Sequence, residues 1–303
     1  MRNLLHKIKL YGTLTAVFFL PYEKRKHIER RIRGKEEYRK LTQADWVLIS
    51  WAKSGRTWFR VMLSHYYQQR FNIPQQHLLD FDNFKVMNAQ APSIFFTHGN
   101  YLKDYTGHKK SKVDYYQKKV VLLVRDPRDV AVSQYFQWKF RMSPRKKALN
   151  DYPPHGADIS MYDFVMNQNC GLPKVIDFFN CWVSETNKMN DFLMVKYEDM
   201  RSKPEQTMRE ILEFTGCAGS NQQIRETVEF AAYQNMKKHE EKKTFSINLG
   251  RLGAKHKGNP DSNKVRRAKV GGYRDYFDEQ QIEAIDTYMQ QQLSPVLGYT
   301  FNN

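Results

Sequence analysis

The segment Ser50-Trp51-Ala52-Lys53-Ser54-Gly55-Arg56-Thr57-Trp58 has the residue types of a loop that grips an anion. Set against the phosphate-loop pattern GxxxxGK[ST], the second glycine is Gly55 and the hydroxyl is Thr57. Ser50 stands at the first glycine, Arg56 at the usual lysine, and a lysine lies inside the loop at Lys53. Backbone N–H groups at a helix N-terminus, reinforced by cations, suit one phosphate. The lysine that reaches the outer phosphates of a nucleoside triphosphate is missing from its place. A second anion site is suggested at Arg125-Asp126-Pro127-Arg128-Asp129, with Ser133 about two helical turns beyond Arg125. There an arginine and a hydroxyl could clamp a second phosphate. Arg125 and Asp129 could equally form a structural ion pair, and the residues alone leave both readings open.

These loops need elements to hold them. Trp46 to Trp51 (WVLISW) reads as a buried strand, and Thr57 to Gln69 follows with apolar Trp58, Val61, Met62 and Tyr66 at helical spacing. Ile94–Phe96 reads as a second strand, Val120–Val124 as the clearest one, and Phe192–Tyr197 as another. Pro127 and Asp129 open a helix. Residues 173–187 set Val175, Phe178, Phe179, Trp182 and Val183 on one helical face. Ser202 with Glu205 predicts a capping box for a helix that stops at Gly216, and Asp278 predicts the cap of the last helix. Apolar strands alternating with helices predict an α/β fold: a single domain with a central parallel sheet, helices on both faces and a P-loop-like phosphate-binding loop. Such sheets bind ligands beyond the C-terminal ends of their strands.

The chain has 303 residues, with 49 Lys+Arg against 32 Asp+Glu and a formal net charge of +17. Hydrophobic residues at 41% supply a real core and exclude wholesale disorder. The charge calls for an anionic partner but does not choose among nucleic acid, membrane and small anion. Cys170, Cys181 and Cys217 form no CxxC, and the histidines form no HExxH, so no metal site is expected and a reducing compartment is. Residues 1–40 read as a separate basic and apolar extension, and 41–303 as the main domain. The apolar stretch at 10–20 is too short for the roughly 20 residues of a membrane helix. It reads as a helix docked on the body, as an interfacial membrane anchor, or as a cleaved signal.

Four motifs in order, AKSGRTW, LLVRDPRDVAVSQYF, VKYEDM and RRAKVGGYRDYF, resemble the sulfotransferases that use 3′-phosphoadenosine 5′-phosphosulfate (PAPS). The resemblance runs from about residue 46 to 290 and leaves out the first 40 residues. It implies PAPS as co-substrate, without a metal. Lys53 would contact the bridging oxygen, and Ser54, Gly55, Arg56 and Thr57 the 5′-phosphate, with Arg56 where relatives carry threonine. Trp58 would stack on adenine, with Tyr197 near it. Arg125 and Ser133 would hold the 3′-phosphate together with Arg266, Arg267 and Ala268, the last two standing where the family has lysine and glycine. His98, in Thr97-His98-Gly99-Asn100, matches the catalytic base, while Phe96 replaces a lysine common in relatives. The expected activity is sulfuryl transfer to a hydroxyl or amine of a saccharide, glycolipid or phenol. A P-loop kinase and a nucleic-acid binder are the alternatives, although no nucleic-acid motif is found. Segments Phe84–Pro92, Phe140–Asp158 and Phe245–Asn263 are the candidate acceptor walls. A cytoplasmic location is expected, with peripheral membrane contact through the N-terminus.

Overall fold

The computed structural model describes residues 2–242, 244–245, 260–263 and 266–299. Among them four strands form one parallel sheet: β1 (Trp46–Ser50), β2 (Ile94–Thr97), β3 (Lys119–Val124) and β4 (Asp191–Lys196). Their spatial order is β2-β1-β3-β4, with Val47 opposite both Phe95 and Val120, and Leu122 opposite Met194. The order reverses between β1 and β3. That is the switch point at which parallel sheets leave a crevice beyond the strand ends.

The helices that matter below are α1 (Arg2–Ala16), α2 (Tyr22–Gln43), α3 (Arg56–Phe71), α4 (Leu102–Thr106), α5 (Pro127–Phe140), α6 (Leu172–Val183), α7 (Pro204–Phe214), α8 (Asn221–Phe230) and α9 (Glu279–Gln292). Alternate strand residues serve opposite faces of the sheet. Trp46, Leu48, Val121 and Leu123 pack with Phe59, Met62 and Tyr66 of α3 and with Ile211 and Leu212 of α7. Val47, Ile49, Val120 and Leu122 pack with Val175, Phe179 and Trp182 of α6 and with Leu41 of α2. Each such buried aliphatic side chain contributes about 1.5–3 kcal/mol over an exposed one. A sheet covered on both faces is what the continuous apolar runs require.

Helix α2 is joined to the body at the segment that follows β2. A Cβ at Gly34 would lie 2.2 Å from the carbonyl oxygen of Tyr101, so only glycine allows this approach. Arg30 donates to Asp104 at 3.0 Å. The Glu37 carboxylate accepts from the backbone N–H groups of Tyr101 at 3.0 Å and Leu102 at 2.8 Å. Helix α1 packs on α2 and buries Leu10, while Ile8, Tyr11, Phe18 and Phe19 are exposed. No helix among the described residues is long and apolar enough to cross a membrane.

One expected cap does not form. Helix α7 starts at Pro204 with Lys203 at its N-cap, and the Ser202 hydroxyl donates to Glu198 O at 2.9 Å. Ser202 is the last residue of a preceding short helix, Tyr197–Ser202, so its side chain bonds backward within that turn. Pro204, with its φ already set, opens α7 without a side-chain cap. The capping box is at Ser220 and Gln223 instead, opening α8. Asp278 caps α9 as expected, accepting from Gln281 N.

Candidate active site

Strand β1 ends at Ser50, the chain turns through Lys53 (φ 77°) and Gly55 (φ 99°), and α3 begins at Arg56. A Cβ at Gly55 would lie 2.5 Å from Tyr197 Cδ2, so glycine lets the Tyr197 ring lie against the loop. Gly55 is the N-cap of α3 and offers no side-chain acceptor. The first-turn N–H groups are thus left to a ligand or solvent, which is the arrangement that binds an anion. The Ser54 hydroxyl beneath them is buried without a hydrogen bond to any of the described residues. Trp58 is aimed by its indole N–H, which donates to Ala231 O at 2.7 Å, and its ring meets Tyr197 edge-on at 5.8 Å.

Arg125 extends from the end of β3 with its guanidinium 4.4 Å from the centre of the Tyr197 ring. It donates to the carbonyls of Lys53 at 3.3 Å and Lys269 at 3.1 Å, and to Asp129 at 3.3 Å. The ion pair of the sequence reading therefore exists, and Arg125 and Asp129 both border the cavity. Asp129 also accepts from the backbone N–H groups of Gly271 and Tyr273, at 3.0 Å each. Through Asp129, α5 holds the loop that carries Arg266, Arg267 and Ala268. Burial raises the Asp129 pKa, and Arg125 opposes the rise. The neighbouring Arg128 takes no part in the cavity: it is bound to Asp126 and, across to α9, Asp286.

In the late loop, the Arg266 guanidinium stacks 3.7 Å from the centre of the Phe136 ring and donates to the Tyr276 hydroxyl. Arg267 pairs with Asp275 at 2.7 Å. Ala268 takes φ 51°, the left-handed conformation that glycine adopts without strain. Ser133 faces the same cavity from α5.

His98 follows β2 directly. Its Nδ1 lies 2.6 Å from the Ser50 carbonyl oxygen, which only accepts, so Nδ1 carries the hydrogen and Nε2 bears the lone pair. Arg56 Nη2 donates to that lone pair at 2.6 Å. Phe96 does not line the cavity: the Arg60 guanidinium lies 3.9 Å from its ring centre, and Trp46 packs beside it. Burial pushes the Glu37 carboxyl up to about 7, against the pull of its two backbone hydrogen bonds and of the Lys40 and Arg56 charges.

One cavity of about 930 Å³ gathers these groups. Lys53, Gly55, Arg56, Thr57, Trp58, His98, Arg125, Ser133, Tyr197, Arg266, Arg267 and Ala268 all line it. Ser54 lies just behind the surface, fully buried. Fifteen lysines and arginines but only five acidic residues border it among the described residues. The acceptor walls differ from expectation. Phe84–Pro92 contributes nothing, because Phe84 and Ala91 are buried in the core beneath α3. Phe140–Asp158 supplies Arg141, Lys146, Asn150 and Tyr152. Of Phe245–Asn263, Asp261 and Asn263 line the cavity, Phe245 is core, and 246–259 lie outside the described residues. The remaining wall, from Arg30 and Arg33 of α2, Lys103 of α4, Lys112, and Lys174, Phe178 and Trp182 of α6, carries no motif that sequence reading finds.

The family model described as the sulfotransferase domain matches residues 43–296. Cytosolic sulfotransferase 12 of Arabidopsis thaliana is 23% identical over 269 residues, covering 82% of this chain and 77% of the relative. Sulfotransferase 2A1 of Rattus norvegicus is 23% identical over 184 residues, covering 58% of this chain and 57% of the relative. Among solved structures, a mouse sulfotransferase complexed with adenosine 3′,5′-bisphosphate (PAP) superposes with a TM-score of 0.54 at 18% identity, over 85% of this chain and 89% of that one. A retinol dehydratase in a complex with retinol and PAP gives a TM-score of 0.56 at 17% identity, over 82% and 81%.

Proposed function

The chain belongs to the sulfotransferase domain family, and on that premise we propose that its cavity takes PAPS and serves sulfuryl transfer to a hydroxyl or amine. The observation that carries this reading is a shared cavity: two anion grips at adjacent strand ends and a histidine with an oriented lone pair all border it. When bound, PAPS supplies a sulfuryl group on a phosphate leaving group. The uncapped first turn of α3, with Ser54, Gly55, Arg56 and Thr57, holds the 5′-phosphate. Lys53 neutralises charge that grows on the bridging oxygen, stabilisation placed where charge develops. Arg125, Ser133, Arg266 and Arg267 hold the 3′-phosphate, and the backbone N–H at Ala268 adds a donor. The Trp58 and Tyr197 rings supply faces for adenine.

His98 takes the acceptor proton on Nε2, the atom that the Ser50 carbonyl leaves as acceptor. Arg56 now donates to that atom. An anion on the loop competes for the guanidinium and releases the lone pair, so cofactor binding and base activation are coupled at Arg56. The same guanidinium offers the cation that Phe96 does not. The cytosolic names of the plant relatives support a cytoplasmic site of action. Exposed Phe18 and Phe19 next to the basic start of α2 support a peripheral membrane contact.

A thermal melt tests the cofactor assignment. PAP at about 100 times its Kd stabilises by about 2.7 kcal/mol, so the melting temperature rises by several degrees, while ATP–Mg²⁺ gives no comparable rise. The opposite ranking overturns the assignment in favour of a P-loop kinase. Sulfur-labelled PAPS incubated with a cell extract then reveals the acceptor as the labelled product.

A further inference from the structure

The cavity has a second cationic end, distinct from the phosphate grips. Lys103 on α4, Lys112 just before Tyr115, and Lys174 on α6 all border it, together with Trp51, Phe178 and Trp182. Among the described residues Lys103 and Lys112 have no carboxylate within ion-pair distance, and Lys174 reaches only the largely exposed Asp177, at 3.6 Å. The nearby acids are engaged elsewhere: Asp104 with Arg30 at 3.0 Å, and Asp114 with Thr106 at 3.0 Å and His108 at 3.1 Å. Burial, then the charges of Lys174, Arg30 and Lys112, pull the Lys103 ammonium below the usual lysine range, with Asp104 opposing. Like charges gathered where water is partly excluded repel one another, and an anion among them removes that cost.

The aromatic groups show what accompanies the anion. The Trp51 and Phe178 rings lie 5.1 Å apart, Trp182 lies 6.3 Å beyond Phe178, and the Lys112 ammonium sits 5.2 Å from the Trp182 ring centre. The Tyr115 hydroxyl is buried with no hydrogen-bond partner among the described residues. A Cβ at Gly99, the residue after His98, would lie 4.0 Å from it. The Trp51 indole N–H is likewise buried and unpaired among the described residues. Trp51 and Phe178 offer half-buried apolar ring faces with Trp182 behind them in the core, the Tyr115 hydroxyl lies near the residue after the base, and the lysines border the same cavity.

We infer that the acceptor is an acidic saccharide, which directs one hydroxyl to His98 and sets a carboxylate, sulfate or phosphate among Lys103, Lys112 and Lys174. This rests on the sulfuryl-transfer reading and narrows it: neutral phenols and sterols have no charge to place there. Sugar rings suit the aromatic faces, and the anion answers the lysines.

The test is calorimetric titration of the PAP-saturated protein with an oligogalacturonate hexasaccharide, and with the same hexasaccharide after its carboxylates are reduced to alcohols. A sulfated hexasaccharide forms a third arm that ranks sulfate against carboxylate. The expected result is at least tenfold tighter binding of the charged forms than of the reduced one. In the Lys103→Ala/Lys112→Ala/Lys174→Ala variant that preference disappears while PAP affinity stays unchanged, which also shows that the variant folds. Single Lys112→Glu reverses the preference. Equal affinity for charged and reduced forms, or no binding of any of them, overturns the inference. PAP is titrated separately, so loss of PAP binding strikes the PAPS reading and loss of charge preference strikes this one.

Discussion

The two ends of the cavity are built by different means. At the phosphate end three arginines are each held by partners of their own. Arg125 is fixed by Asp129 and two carbonyls, Arg266 by Phe136 and Tyr276, and Arg267 by Asp275. These side chains are placed before any ligand arrives, which lowers the ordering cost of binding. At the other end Lys103 and Lys112 make no ion pair among the described residues, Lys112 resting over the Trp182 ring at 5.2 Å, and most of the wall comes from helix faces and short connections. A rigid end suits a ligand that never changes. A looser, lysine-rich end suits one recognised by charge and ring faces. His98 stands between them, anchored on β1 through Ser50.

The sharpest break in this contrast is Arg125→Ala. On the proposed reading it removes a 3′-phosphate ligand, and it takes the ion-pair partner from Asp129, whose side chain is only 2% exposed and keeps the backbone N–H groups of Gly271 and Tyr273. Losing one charge-assisted grip costs about 3 kcal/mol at most, or roughly 100-fold in PAP affinity. Loss of the ion pair, with those two backbone hydrogen bonds kept, destabilises the fold by about 1.5–3 kcal/mol. Calorimetry and urea melts measure the two separately, and a variant with unaltered PAP binding would erase the distinction between the ends.

Glu37→Gln probes how α2 carries the loop after His98. The folded-state pKa of Glu37 is about 7, above its reference value of 4.5. The folded protein therefore binds more protons in that window, and this group's contribution to stability declines as pH rises from about 4.5 to about 7, then levels off. The full swing is about 3 kcal/mol. Glutamine keeps an acceptor for Tyr101 and Leu102 without the charge, so the variant should match wild type near pH 4.5 and exceed it at pH 8 in urea melts. A difference independent of pH contradicts the assignment.

Ala268→Gly gives the smallest effect. A non-glycine residue pays about 1–2 kcal/mol in the left-handed region, and the added chain entropy of glycine returns part of it. A net gain of about 0.5–1 kcal/mol in stability is expected, with PAP affinity equal or slightly improved. A loss of stability would mean that the φ of 51° at Ala268 is not strained.

The rigid end was legible in the sequence because its residues sit at strand ends, where a run such as VVLLV announces its own terminus. Lys53, Gly55 and Arg125 could be placed from local pattern and Tyr197 through the family resemblance, and the cavity does collect them. Glu37 could not: nothing in an acidic and basic helical stretch distinguishes one glutamate from its neighbours. Only the close approach of Gly34 to Tyr101 turns it toward the backbone there. The lysine cluster is assembled from residues 103, 112 and 174 by packing of α4 and α6, and so had no spacing to read. The Ser202–Glu205 cap failed for a local reason, since the chain was already helical up to Ser202. The basic run of α2, unassigned to any cofactor, proves partly structural and partly a wall of the cavity, through Arg30 and Arg33.

The central claim is that His98 joins the two ends as the base while contributing little to nucleotide binding. The direct measurement is sulfur transfer from labelled PAPS to extract acceptors by His98→Ala, with PAP affinity measured in parallel. Removal of a general base costs about 10²–10⁴-fold in rate. The account predicts a loss of that size with PAP Kd within about twofold of wild type; transfer at the wild-type rate would contradict it.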